Sequence, residues 1–437
     1  MVSPFDELGR PYSAAALQRG LQHREKVVYS LNGNRATSAR AFLRRIERVC
    51  SLVGIRRVGD ISFLSASPYP VFQSVRPNLF LHAEYGQSSG AQGKGNTPTQ
   101  ARISCIMEAI EGYCAEPRHA QLVRASYRFL APQHLVLDPR KIVTLRGVEP
   151  PSVDEPIMWT PAYSVRAGAE ALVPAQLVYS PFINQPYRTR SIFVSASNGL
   201  ASGSTYLEAA IHALYELIER YYVHKMEAGE VRLEALFEHQ VAGASMQRYL
   251  RRLGDDDELQ LYSLTLKGIR NLPMIMCCLI ERGSLYIGWG CSGTVDISIS
   301  RAFSEALQSQ AARISGARED LHASAPVSGA VITEAEIFGR TAQPDERTLS
   351  LKALRARVHD RRFVTLAEEY AFILAWLTAL GFDNVFFANL TRQGIDVPVV
   401  KALIPDLEMP AKFKARGTTP HQPQTHVERQ FRNMLAS

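Results

Sequence analysis

The chain has 437 residues, 46% of them hydrophobic and 21% charged, with a formal net charge of +7. That balance excludes a disordered chain and suits a large core, ordinarily shared between roughly two or three lobes. The basic residues are scattered, so no nucleic-acid footprint is indicated, while a polyanionic or phosphate-bearing ligand fits equally well. No apolar run approaches a membrane span and the first residues carry no apolar signal core, so a cytoplasmic protein that does not enter membranes is expected.

The opening stretch is polar and carries no clear period. Residues 38–53 read as a helix with Phe42, Leu43, Ile46, Val49, Cys50 and Val53 on one face, arginines on the other, and Gly54 as its stop. The arginine face is either a solvated surface or a grip for an acidic peptide or partner. Residues 61–81 read as mixed strand and turn.

Residues 89–116, SGAQGKGNTPTQARISCIMEAIEGYCAE, organise the rest. Gly90, Gly93 and Gly95 surround Lys94 in a loop suited to close backbone approach to an anion, ahead of a helix N-terminus. From Thr99 the pattern is helical, and Ser104, Glu108 and Glu111 at i, i+4 and i+7 share one stripe of an otherwise apolar helix. Charges in that setting are paired or bound to metal.

Residues 134–145 and 156–179 read as short strands, with a hairpin turning at 167–170. Residues 193–197 read as a strand delivering a second glycine turn, followed by a helix with Glu208 and Glu219 roughly three turns apart and Glu216 to one side. A helix is expected at 241–253 and strands at 259–266, 274–280 and 285–289. A third glycine turn, GWGCSGT, then opens a helix with Arg301, Glu305 and Gln308 at i, i+4 and i+7. Residues 340–348 read as a surface linker or lid. A helix at 365–380 ends at Gly381, strands follow at 384–389 and 398–404, and the remainder is proline-containing and basic. The elements alternate without a βαβ period, so the expected class is α+β with mixed sheets and long helices around a central site.

The six cysteines, Cys50, Cys105, Cys114, Cys277, Cys278 and Cys291, show no CxxC spacing and no zinc pairing with the histidines. They read as reduced buried thiols, with Cys291 in the third glycine turn as the one candidate for a reactive thiol. Five glutamates, Glu108, Glu111, Glu208, Glu216 and Glu219, and with them Glu305, share a site only if cations neutralise them. Hard oxygen ligands select Mg2+ or Ca2+, and Mg2+ bridging carboxylates to phosphates makes a nucleotide site. The competing reading is a set of helices whose acids form interface salt bridges. GAQGKGN lacks the spacing of a Walker loop, and no protein-kinase signature is present.

Four blocks, GAQGKGNTPTQARISCIMEAIEGY, SASNGLASGSTYLEAAIHALYELIERYY, RAFSEALQSQAARISGARED and TRQGIDVPVVKALIPDLE, resemble the YcaO superfamily across residues 71–407. The resemblance implies an ATP-dependent enzyme, usually a homodimer, that activates backbone amides of ribosomally made peptides. It implies ATP held through Mg2+ between helices. It divides the chain into an N-terminal helical or partner-contacting region (1–70), a catalytic domain (71–407) and a proline-containing tail (408–437). By motif position it assigns Glu108, Glu111, Glu208, Glu216, Glu219 and Glu305 to Mg2+, and Ser104, Asn198 and Gln308 to ATP. Lys94 and Arg313 go to phosphate.

A side chain of the substrate as nucleophile yields an azoline, and sulfide yields a thioamide. The chain departs from the family pattern at Gly112, Ser204 and Gln310, and its Pro420 and Pro423 do not form the PxPxP tail of azoline-forming members. The GIRRVGD and PVFQSVRPN segments resemble members that work with a TfuA partner. No precursor-binding or E1-like segment is recognisable, so a separate partner is expected to recruit the peptide. The alternatives are an accessory role in sulfur modification of a ribosomal protein, and a non-catalytic scaffold suggested by Ser204 and Gln310.

Overall fold

The computed structural model describes residues 12–65, 69–77, 88–117, 122–145, 147–237, 244–254, 257–281, 284–315 and 344–407. In chain order the elements that position the site are α1 (Ala14–Leu21), β1 (Val28–Ser30), β2 (Gly33–Arg35), α2 (Ala39–Glu47), β3 (Arg57–Asp60), β4 (Val71–Pro77), β5 (Ser88–Lys94) and α3 (Pro98–Cys114). Next come β6 (Val123–Ser126), β7 (Pro156–Ser164), β8 (Ala169–Pro174), β9 (Leu200–Ser202), α4 (Tyr206–Glu227), β10 (Val231–Leu236), β11 (Glu258–Leu266), β12 (Met274–Glu281), β13 (Ser284–Cys291) and α5 (Val295–Ile314). The chain continues through β14 (Pro344–Leu349), α6 (Leu366–Ala379), β15 (Phe386–Asn389) and β16 (Val399–Leu403). The fold is α+β, as expected.

Two larger sheets set the frame. One runs β13-β12-β11-β10-β14, the other β6-β7-β15-β16-β9 with β8 also on β7, while β3-β4-β5 and the β1-β2 hairpin are smaller. Every strand pair is antiparallel except β10 with β14.

Period-2 alternation shows what covers each face. In β12, Met274, Met276 and Cys278 join the core around α4, whereas Ile275, Cys277 and Leu279 join the core around α5. In β15 and β16, Phe387, Val400 and Ala402 face α4, and Phe386, Ala388, Val399 and Leu403 join the core that contains Ile106 and Ile110 of α3. Both large sheets are thus buried on both faces, with α4 between them. This is why α4 reads as apolar almost all round: 15 of its 22 residues are buried. Leu17 and Leu21 of α1 join the same core.

Each of α3, α4 and α5 follows a strand through a short turn and starts at a threonine N-cap. Thr97 accepts from the Gln100 amide, Thr205 from Glu208 and Thr294 from Ile297. The glycines before these caps serve strand-to-helix contact. A Cβ on Gly93 would stand 2.0 Å from the Cys105 amide nitrogen and 2.2 Å from the Ala101 carbonyl oxygen, and one on Gly288 2.0 Å from the Ala302 carbonyl oxygen. The expected anion loop around Lys94 is therefore corrected. Residues 88–94 are a strand, and Gly93 and Gly95 face the α3 backbone.

Other expectations change as well. No strand forms at 193–197, and 134–145 supply only a single-residue bridge, Val136 to Leu172, and one tight turn. Residues 344–349 form the edge strand β14 and are no linker or lid, while 340–343 lie outside the described residues. The helix expected at 38–53 shortens to Ala39–Glu47, and the one expected at 241–253 ends at Leu250, with 241–243 outside the described residues. The tail with Pro420 and Pro423 lies outside the described residues. No helix among the described residues is long and apolar enough to cross a membrane.

Candidate active site

The cap-and-glycine arrangement aims α3, α4 and α5 at one cavity of about 1050 Å³. Lys94, Ser104, Glu108, Glu111, Glu208, Glu216, Glu219, Glu305, Gln308 and Arg313 all line it. Asn198 does not; it is half-buried in the turn before β9, while its neighbour Ser197 reaches the wall. The lining also includes Arg35, Arg76, Arg220, Arg301, His212 and Ser202, so six glutamates share the space with six basic side chains.

The acids differ in setting. Glu108 is exposed to the cavity. Glu111 accepts the Ser202 amide at 2.8 Å and the Ser202 hydroxyl at 2.6 Å, yet burial lifts its pKa to about 8 against those bonds. Glu208 accepts Arg35 at 3.2 Å on one oxygen, and the Ala36 amide at 3.2 Å and the Ser204 hydroxyl at 2.6 Å on the other. Burial raises Glu219 to about 7 against the pull of Arg220, whose guanidinium lies 3.2 Å away, and raises Glu216 against Arg220 and Lys401. Glu305 differs: burial opposes its charge, but Lys94 at 2.9 Å together with Arg220 and Arg301 outweighs burial and holds the carboxyl below its usual range. Lys401 beside Glu216 is lowered to about 8 by burial.

His212 is pushed well below its ordinary value by burial and then by Arg301, Arg35 and Lys94, so it is neutral at pH 7. Gln308 donates to the Gln92 carbonyl at 2.8 Å, and Arg313 lies over the Tyr286 ring at 6.0 Å. The Nε–H groups of Arg220 and Arg301 are buried without an acceptor among the described residues.

Orphaned buried cationic donors beside buried carboxylates held partly protonated make an unfinished site. An anion satisfies the former and a cation the latter. No group of three His, Cys, Asp or Glu side chains among the described residues is arranged to hold a metal by itself. Mg2+ takes one or two carboxylates per ion and completes its shell with water and substrate phosphate.

Several contributors escaped the sequence reading. His212 sits four residues from both Glu208 and Glu216, so helical spacing was a usable signal; Arg301 was read on the α5 stripe with Glu305 and Gln308 but given no role. Arg35 comes from the unpatterned opening stretch and had none. The departures from the family pattern find places here. Ser204 hydrogen-bonds Glu208, and Gln310 is 1% exposed and donates to Glu281 at 2.7 Å, away from the cavity. A Cβ on Gly112 would meet the Arg76 guanidinium at 3.1 Å, so an arginine from β4 occupies that space. Cys291 is fully buried and burial drives its thiol far up, which corrects the reading of a reactive thiol.

The fold and a cavity of this chemistry define a nucleotide- and metal-binding class without a Walker loop, and comparison with known proteins gives the family. The family model described as "YcaO cyclodehydratase, ATP-ad Mg2+-binding" matches residues 92–408. The chain belongs to the YcaO family, whose members bind ATP and Mg2+. An uncharacterized protein of Methanothermobacter thermautotrophicus is 30% identical over 372 residues, 82% of this chain and 91% of its own. An uncharacterized protein in the tfuA 3′ region of Rhizobium leguminosarum bv. trifolii is 25% identical over 377 residues, 82% and 84% of the two chains.

Among solved structures, YcaO from Methanopyrus kandleri bound with AMPPCP and Mg2+ matches with a TM-score of 0.68 at 22% identity, over 88% of this chain and 94% of that one. A heterocyclase in complex with substrate and cofactor gives 0.70 at 18% identity, over 90% and 55%. A chain of the E. coli microcin synthetase McbBCD complex gives 0.54 at 12%, over 77% and 84%. At these identities the structures establish the fold.

Proposed function

We propose that this protein is an ATP- and Mg2+-dependent enzyme that activates backbone amides of a ribosomally made peptide by O-phosphorylation. The convergence of three glutamate-bearing helices on one cavity, with cations between the acids, carries the reading. Glu108, Glu111, Glu216, Glu219 and Glu305 are assigned to hold Mg2+. Glu208, assigned with them by motif position, already accepts three hydrogen bonds. Lys94, Arg220, Arg301 and Arg313 are assigned to phosphate oxygens, and Ser104 and Gln308 to orientation of the nucleotide; Asn198, outside the cavity lining, is left out of the assignment. Mg2+, when bound, neutralises and orients the phosphates.

The chemistry requires a nucleophile to add to the peptide carbonyl carbon. The resulting alkoxide oxygen then takes the γ-phosphoryl group, and the C–O bond breaks as phosphate leaves. The enzyme's share is to position the groups, stabilise the oxyanion with its cations and exclude water.

The relative in the tfuA 3′ region favours sulfide as nucleophile and a thioamide product, with a TfuA-like partner supplying sulfur. The azoline product is the second reading, supported by the family description. The McbBCD neighbour is one chain of a complex, which supports a separate protein recruiting the peptide here. Ser204 still serves Glu208 and Gln310 lies outside the cavity, so neither supports a scaffold that has lost turnover.

The test is nucleotide binding and product mass. Wild type should bind ATP only with Mg2+, Glu219→Gln should lose it, and with partner, peptide and sulfide the peptide should exchange one oxygen for sulfur at each site. Loss of one water per site would assign azoline formation instead. Absence of nucleotide binding in the wild type would overturn the enzyme reading.

A further inference from the structure

The opening stretch forms the β1–β2 hairpin, and its Arg35 reaches the cavity although it lies well before residues 92–408, where the family model matches. Arg35 is loosely held. Its guanidinium donates to Glu208 at 3.2 Å and to the Asn32 carbonyl at 3.1 Å, long for contacts that normally run about 2.7–2.9 Å when charge-assisted. The side chain stays 33% exposed, whereas Arg76, also in the lining, is 3% exposed and bound to Glu116 at 2.7 Å.

Glu208 does not depend on Arg35, because its second oxygen accepts the Ala36 amide and the Ser204 hydroxyl. Nor does the hairpin depend on Arg35. Asn34 donates to Glu369 and Asn96 donates to Asn32, each at 2.8 Å. The side chain can swing while the backbone stays.

A second observation points to what it would meet. Arg35 on β2, Lys94 on β5 and Arg301 on α5 all lie close enough to His212 to oppose its protonation. Three cations from three elements line one cavity with a neutral ring, and the Arg301 Nε–H lacks an acceptor among the described residues, which makes a receptacle for a multiply charged anion.

We propose that Arg35 is a ligand of the nucleotide polyphosphate, exchanging Glu208 for phosphate oxygens and freeing that carboxylate oxygen for the metal side of the site. This rests on the nucleotide reading above. It makes the N-terminal hairpin part of the nucleotide site.

Calorimetric titration of AMPPCP with Mg2+ into wild type, Arg35→Gln, Arg35→Lys and Arg40→Gln tests it. Arg40 is exposed on α2 and outside the cavity lining, so its substitution removes the same charge elsewhere. The expected result is about tenfold or greater weakening in Arg35→Gln, partial recovery in Arg35→Lys, and Arg40→Gln within about twofold of wild type. The thermal transition of each nucleotide-free variant separates lost binding from lost folding. Wild-type affinity in Arg35→Gln, or equal weakening in all three variants, overturns the role of Arg35 and leaves the nucleotide reading standing. No binding by the wild type overturns both.

Discussion

Ser202 donates its backbone N–H and its hydroxyl to the same oxygen of Glu111, at 2.8 and 2.6 Å. Strand β9 thereby fixes an acid of α3 at the edge of α4. Removing the hydroxyl by Ser202→Ala strips one donor from the ionised carboxylate and moves the Glu111 pKa, already about 8, further up. Mg2+-dependent AMPPCP binding should weaken about tenfold at pH 7, and the deficit should shrink toward pH 9, where both proteins are ionised. Titrations at the two pH values decide it; an undiminished deficit at pH 9 would show that Ser202 does not act through Glu111.

The buried acids also predict a pH dependence of stability. Burial raises Glu111 to about 8 and Glu219 to about 7 in the folded chain, above their unfolded values. The folded state then binds more protons than the unfolded one, and stability falls as pH rises from the ordinary carboxylate range through about 8. Melting temperature without metal should therefore drop between pH 7 and 8.5, above the range in which His212, held neutral in the fold, charges in the unfolded chain and opposes the trend. The gain from Mg2+ with AMPPCP should be larger at 8.5, because the cation takes the ionised form. Thermal scans across this range, with and without ligand, provide the check. A rising metal-free melting temperature would contradict the assigned shifts.

Gly93 sets the approach of β5 to α3. An alanine there would place its Cβ 2.0 Å from the Cys105 nitrogen, against backbone that cannot swing aside. Overpacking of this kind costs about 1–3 kcal/mol, and more where backbone must move. Gly93→Ala should lower the unfolding free energy read from urea titration by that amount and weaken nucleotide binding with it, since Lys94 is the next residue. Gly147→Ala is the contrast: its φ of +75° strains an alanine, but nothing lies within 4 Å, so binding should be unchanged.

Arg76 and Glu116 form a 2.7 Å ion pair with both side chains 3% exposed. Removing one partner of a buried ion pair costs about 3–5 kcal/mol. Arg76→Met alone should be strongly destabilising, and Arg76→Met combined with Glu116→Gln should recover much of the loss in chemical denaturation. Equal midpoints for single and double variants would rule out the broken ion pair as the cause.

Much of the site was legible because helices with one buried face impose a period. Ser104, Glu108 and Glu111 on α3, the α4 glutamates, and Glu305 with Gln308 on α5 broke an apolar pattern at helical spacing, and all reach the cavity. Thr97, Thr205 and Thr294 cap these helices, a local signal that the sequence reading, which began α3 at Thr99, left unused. The hairpin at β7–β8 and the β12–β13 pair were readable from alternation.

What failed was long-range. Residues 193–197 have strand-like composition but pair with no strand among the described residues, and 344–349 have linker-like composition but an open edge of β10 beside them. Glycines before each helix signalled backbone approach correctly, but not to what: the partner is a helix backbone, which only packing supplies.

The sequence by itself determined the helices, their caps and the acids they carry, since period and capping are properties of neighbouring residues. The tertiary structure decided which cations stand between those acids. Arg35, Arg76 and Lys94 come from different strands and meet α3, α4 and α5 only because the sheets bury both faces and leave one polar cavity where the helices converge.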